Sequence, residues 1–115
     1  MSDQTVFEKI LAGLIPCKKI FENEHCLSFF DVSPAAPQHA LVIPKIKLVN
    51  VQDAHAENAL QLGQLILGAK ATAEVLGLAE DGYRLVMNVG RDGGQTVGYL
   101  HCHVLGGRAL KWPPG

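Results

Sequence analysis

His101 and His103 stand two residues apart in the run Gly98-Tyr99-Leu100-His101-Cys102-His103-Val104-Leu105. In an extended chain alternate side chains share a face. That puts Tyr99, His101 and His103 on one side and Leu100, Cys102 and Val104 on the other. The second set is apolar and suits burial against a helix. The first set presents two imidazoles and a phenol. Just upstream, residues 90–98 hold Gly90, Gly93, Gly94 and Gly98. A glycine-rich loop can turn its backbone N–H groups inward and cradle an anion. An imidazole beside such a loop can attack phosphorus or donate to a phosphoryl oxygen. The chemistry suggested is a phosphate site with a histidine nucleophile. On spacing alone, two polar residues on a solvated sheet face fit as well.

A His-x-His pair on a strand can also hold zinc. Further ligands would then come from His39, His25 or Cys102, and Cys102 points to the opposite face, so no metal and no cofactor are expected. Cys17, Cys26 and Cys102 are odd in number and widely spaced, without a Cys-x-x-Cys pair. They read as reduced thiols of a cytoplasmic protein rather than a disulfide framework.

The elements around this stretch follow from pattern. Val6, Phe7, Ile10, Leu11 and Leu14 fall at helical spacing, predicting a short helix from Thr5 to about Gly13, stopped by Gly13 and Pro16. Lys19 to Glu22 and Cys26 to Phe30 read as strands about a turn at Asn23-Glu24. Residues 33–37 form a proline-broken loop, and Ala40 to Ile43 a short apolar strand. Leu62, Leu65, Ile66, Ala69, Ala73 and Leu76 mark one long helix between about Asp53 and Leu76, with Gly77 as its C-cap. Strands are expected from Tyr83 to Asn88 and from Gly98 or Tyr99 to Leu105. The connections between paired strands are too short for parallel crossovers. The expectation is an α+β domain, an antiparallel sheet of about five strands with a helix on one face.

Composition bounds the rest. At 115 residues, 48% hydrophobic and 18% charged, the chain is the size of one ordinary domain and can fold around a core. A net charge of −1 lacks the basic excess of a nucleic-acid-coating protein. No apolar run approaches the ~20 residues of a membrane span, and the N-terminus lacks the pattern of a signal peptide.

His101-Cys102-His103-Val104-Leu105-Gly106-Gly107-Arg108 resembles the second half of the histidine triad (HIT) signature, His-φ-His-φ-His-φ-φ. Residues 29–45 are similar to that family's upstream segment. Gly82 to Asn88 and Asp92 to Val97 are similar to its middle, and Trp112-Pro113-Pro114-Gly115 to the tail of its Hint branch, the histidine triad nucleotide-binding proteins. The resemblance covers nearly the whole chain as a single HIT domain, 1–115. It implies a homodimer that binds purine nucleoside monophosphates such as AMP or GMP and hydrolyses nucleoside phosphoramidates. It implies His101 as the nucleophile that forms a covalent nucleotidyl-histidine and His103 as a phosphate contact. Thr96 is implied as proton donor to the leaving amine, and Asp31 as the acid that bonds the ribose hydroxyls. Asn88, Gly94 and Gln95 are placed by it at the phosphate, and Phe7, Ile10, Phe29 and Val32 around the base. His39 matches a histidine that relays protons with the first triad position.

The residues themselves are compatible with those roles. A carboxylate suits a cis-diol, and an apolar slot with an aromatic edge suits a purine. Backbone amides, Asn88 and His103 can offset phosphoryl charge without a metal. Without the resemblance, Phe7, Ile10 and Phe29 read equally as core, Asp31 as a turn acid and Asn88 as a strand end.

One position departs from the pattern. Tyr99 stands where the first triad histidine is expected. A His–His relay is then broken, although the Tyr99 hydroxyl could reach His39 and the Tyr99 carbonyl could still orient His101. Two functions follow: a P–N hydrolase that tolerates tyrosine, or a nucleotide-binding regulatory or scaffold protein with weak or no catalysis.

Overall fold

A computed structural model describes residues 4–115, and the N-terminal reading over residues 1–3 lies outside them. The short helix α1 spans Val6–Leu11 and is started by Thr5. Thr5 Oγ1 accepts from the Glu8 amide while Glu8 Oε1 accepts from the Thr5 amide, at 3.2 and 2.9 Å. This reciprocal capping box satisfies two of the orphan donors of a helix start. At the other end Leu14 N–H bonds the Lys9 carbonyl and Gly13 N–H the Ile10 carbonyl, with Gly13 at φ +75°. This is a Schellman stop, which needs a left-handed residue that glycine adopts without strain.

Strands β1 (Lys19–Glu22), β2 (Cys26–Phe30) and β3 (Gln38–Pro44) follow. The long helix α2 (Ala59–Val75) comes next, then β4 (Arg84–Val86) and β5 (Cys102–Gly106). All five strands form one antiparallel sheet in the order β1-β2-β3-β5-β4. The fold class is therefore as expected, but several boundaries move, and β3 is longer than the expected Ala40 to Ile43. Helix α2 begins at Ala59, not near Asp53, because Val51–Asp53 and Ala56–Asn58 form separate single turns of 3-10 helix. The fourth strand shortens to three residues. The last strand begins at Cys102, because Tyr99 to His101 leave the glycine-rich loop before ladder pairing starts.

The sheet has two different faces, and alternation along each strand assigns the side chains. Cys26, Ala40, Val42, Cys102 and Val104 pack with Leu65, Ala69 and Ala73 of α2, joined by Leu100. Leu27, Phe29, Leu41 and Ile43 point the other way and pack with Tyr99 and with Phe7 of α1. Fully burying a side chain such as Phe7 contributes roughly 1.5–3 kcal/mol. One member of the expected α2 stripe is misplaced: Ile66 is exposed, because the buried face runs through Leu65, Gly68, Ala69, Thr72 and Ala73. Gly68 and Thr72 face β2 at Cys26 and Ser28. Thr72 Oγ1 bonds Ser28 Oγ at 2.7 Å and the Gly68 carbonyl at 2.8 Å.

Gly68 sets the distance between α2 and the sheet. A Cβ there would stand 2.3 Å from Cys26 Sγ, whereas one at Gly63 meets nothing within 4 Å. Gly68→Ala is expected to destabilise by about 1–3 kcal/mol through overpacking. Gly63→Ala should stabilise by ~0.5–1 kcal/mol through helix propensity. Chemical denaturation of both variants checks the pair, and equal effects would contradict this packing.

Candidate active site

On the α1 face of the sheet the chain leaves a groove of about 1060 Å³. Its walls include Phe7 and Ile10 from α1, Phe29 from β2, and Asp31 and Val32 from the loop after β2. Thr96, His101 and His103 close its polar end. Eight residues expected from the sequence thus meet at one cavity.

His101 is buried among aromatic rings. Its centroid lies 5.0 Å from that of Phe7 in an edge-on arrangement, and 5.0 Å from that of His103. Its Nδ1 stands 2.7 Å from the Tyr99 carbonyl oxygen. A carbonyl only accepts, so Nδ1 carries the proton and Nε2 holds the free lone pair. The orientation expected from the Tyr99 backbone is therefore present.

His103 takes the opposite form. The register pairs His39 with Leu105 and Leu41 with His103, so His39 and His103 are diagonal neighbours on one sheet face. His39 Nδ1 accepts the Ala35 amide proton at 2.9 Å. Its Nε2 must then carry the ring proton, and it lies 2.9 Å from His103 Nδ1. His103 Nδ1 accepts, and its own proton sits on Nε2. Asp31 Oδ2 lies 3.4 Å from His39 Nε2. Among the described residues no fully buried side-chain nitrogen or oxygen lacks a partner. The unbonded Nε2 atoms of His101 and His103 are therefore accessible, one as an acceptor and one as a donor.

Burial pushes His39 below its ordinary value, against the opposing charge of Asp31. Burial, with His101 and His39 adding to it, pushes His103 down to about 4. Both rings are neutral at pH 7, as the hydrogen-bond chain requires.

This geometry corrects the Tyr99–His39 contact and gives the glycine loop its supports. Tyr99 is not on a solvated face: it is 1% exposed, and its hydroxyl donates to the Pro44 carbonyl, not to His39. The partner of His39 is His103 instead. The Gln95 side chain is fully engaged, tying the glycine loop to the segment after β3. Its Nε2 donates to the Val49 and Val97 carbonyls, and its Oε1 accepts from Gly90 N–H and Asn50 Nδ2. Asn88 Nδ2 donates to the Gly93 carbonyl, and Gly94 takes φ +77°. Gln95 and Asn88 brace the glycine loop from inside. His25 is remote from this cluster, at the β1–β2 turn beside Glu24, and Cys102 faces α2. The donors of Asp31, His39 and His103 do lie within 4.8 Å of one another.

Sequence reasoning missed Ile15, Pro16, Cys17 and Lys18, which line the groove between α1 and β1. That connection has no periodicity to read. Leu41 was missed too, although alternation from His39 would have placed it on this face.

The HIT domain family model matches residues 12–110. The chain belongs to the HIT family. An uncharacterized HIT-like protein of Synechococcus elongatus is 52% identical over 115 residues, the full length of both chains. A HIT family hydrolase from Legionella pneumophila superposes with a TM-score of 0.93 at 43% identity, covering 97% of this HIT chain and all of that one. A HIT family hydrolase from Clostridium thermocellum gives 0.91 at 40% identity, covering 96% of each. Among the described residues of this HIT protein no helix is long and apolar enough to cross a membrane.

The depressed value of His103 has a consequence for stability. The unfolded chain takes up that proton first, near pH 6.5, so stability falls as pH drops from about 6.5 towards about 4. In His103→Asn the fall across this window should be shallower than in the wild type. Thermal unfolding at successive pH values measures both, and equal slopes would contradict the assignment.

Proposed function

We propose that the chain is a nucleoside phosphoramidate hydrolase of the Hint branch, acting on purine nucleotides linked to an amine. The observation that carries this reading is the pairing of tautomers. His101 offers a lone pair and His103 a proton at the same end of one groove. A nucleophile needs the first, and a phosphoryl oxygen needs the second.

The rest of the groove fits the remainder of such a substrate. Phe7, Ile10, Phe29 and Val32 form an apolar slot for the base. Val32 is 98% exposed, an unusual position for valine that a stacked base would cover. Asp31 offers two acceptors to the ribose hydroxyls. The loop at Gly94, braced by Asn88 and Gln95, offers backbone N–H groups to the phosphate.

In this reading His101 Nε2 bonds to the α-phosphorus and the P–N bond to the amine breaks. The electron pair stays on the leaving nitrogen, and Thr96 Oγ1 supplies its proton. Water then attacks the same phosphorus and the bond to His101 breaks, returning its pair to Nε2. One water proton restores Thr96, and the nucleoside monophosphate leaves. His39 holds His103 in its donor form throughout. This chemistry calls on no metal or cofactor.

A homodimer belongs to the same reading. Leu60, Leu67 and Val75 leave an exposed apolar face on α2, and β4 is an edge strand. A monomer in sedimentation at micromolar concentration would remove this part.

AMP release from adenosine 5′-phosphoramidate tests the activity. The wild type should turn over, and His101→Ala should lose ~10³-fold or more in kcat/KM. Tight AMP binding without turnover would replace the hydrolase by the nucleotide-binding regulator or scaffold.

A further inference from the structure

Tyr99 stands where the family pattern has a titratable imidazole, and its surroundings assign it a different task. Its side chain is buried between Phe7 and the sheet, with the ring 6.1 Å from Phe7 and nearly perpendicular to it. Its hydroxyl donates to the carbonyl of Pro44, the last residue of β3. Its own carbonyl accepts from His101 Nδ1. The next residue is tied as well, since Leu100 N–H bonds the Leu48 carbonyl at 2.7 Å. One residue therefore links the end of β3 to the orientation of His101, before β5 begins at Cys102.

We propose that Tyr99 is a positioning residue for His101: its hydroxyl, anchored on Pro44, holds the Tyr99 peptide so that its carbonyl keeps the His101 proton on Nδ1. The inference rests on the reading of His101 as nucleophile.

Three features support it. Residues 99–101 lie outside the β5 ladder, so strand pairing does not fix the Tyr99 carbonyl. The hydroxyl and the Leu100 amide are the anchors that remain. Phe7 touches both rings, at 6.1 and 5.0 Å, so a tilt of Tyr99 is passed to His101 by packing as well. The phenol is also held neutral. Burial, with the negative charge of Glu8, pushes it up to about 12. The anchor therefore keeps one protonation state wherever the site histidines work.

Tyr99→Phe removes the hydroxyl and keeps the ring. The variant should lose about tenfold in kcat on adenosine 5′-phosphoramidate, with KM and AMP affinity within about twofold. Nitrogen-15 NMR of the histidine rings supplies a reading independent of turnover. In the wild type His101 should be an Nδ1–H tautomer with a slowly exchanging proton. In Tyr99→Phe the Nε2–H form should become populated and exchange should accelerate. If Tyr99→Phe does not fold, 4-fluorophenylalanine at position 99 fills the hydroxyl's space without donating, and the same losses are expected. Wild-type kcat with an unchanged His101 tautomer would overturn the proposal and leave Tyr99 as core packing. A raised KM at constant kcat would overturn it equally. An inactive wild type whose His101 tautomer still shifts in Tyr99→Phe would refute the hydrolase and keep the positioning role.

Discussion

An imidazole attacks only through a nitrogen whose lone pair is free, and for His101 that choice rests on one hydrogen bond. The Tyr99 carbonyl takes the Nδ1 proton and leaves Nε2 open. A second chain makes the opposite choice for the neighbouring ring. The Ala35 amide fixes His39, and His39 fixes His103 as a donor. Two chemically identical side chains, two residues apart, are set to complementary forms by backbone groups, His101 directly and His103 through His39. Swap either proton and the site would present two donors or two acceptors to a phosphoryl group.

Most of the fold can be understood as holding those backbone groups still. The β3–β5 register brings His39 diagonally against His103, and β3 ends at Pro44 where the Tyr99 hydroxyl is anchored. Helix α2 covers the opposite face, close enough at Gly68 that no side chain fits between helix and sheet. The small helix α1 delivers Phe7, which packs on Phe29, Tyr99 and His101 together. Burial on this face also keeps His39 and His103 neutral, which the chain of single protons between them demands.

Much of this was legible in the residues. Period-two alternation placed Leu100, Cys102 and Val104 against the helix and the histidines on the opposite face. The motif resemblance carried Asp31, Thr96, His101 and His103 to one cavity. What stayed hidden depended on contacts between distant segments. No local signal says that the Tyr99 hydroxyl meets Pro44, 55 residues away, or that the Gln95 amide ties its loop to Val49 and Asn50. Helix α2 starts later than apolar spacing suggests, because that spacing does not distinguish 3-10 turns from the helix they precede. The segment between α1 and β1, which supplies Cys17 and Lys18 to the groove, has no period at all.

In the proposed reaction His101 Nε2 is the attacking atom. Mixing the protein with adenosine 5′-phosphoramidate, quenching by denaturation at neutral pH and taking intact and peptide masses tests this directly. One adenylyl group per chain is expected, located on His101. Turnover without any adduct, or an adduct on another residue while His101→Ala still forms it, would contradict it.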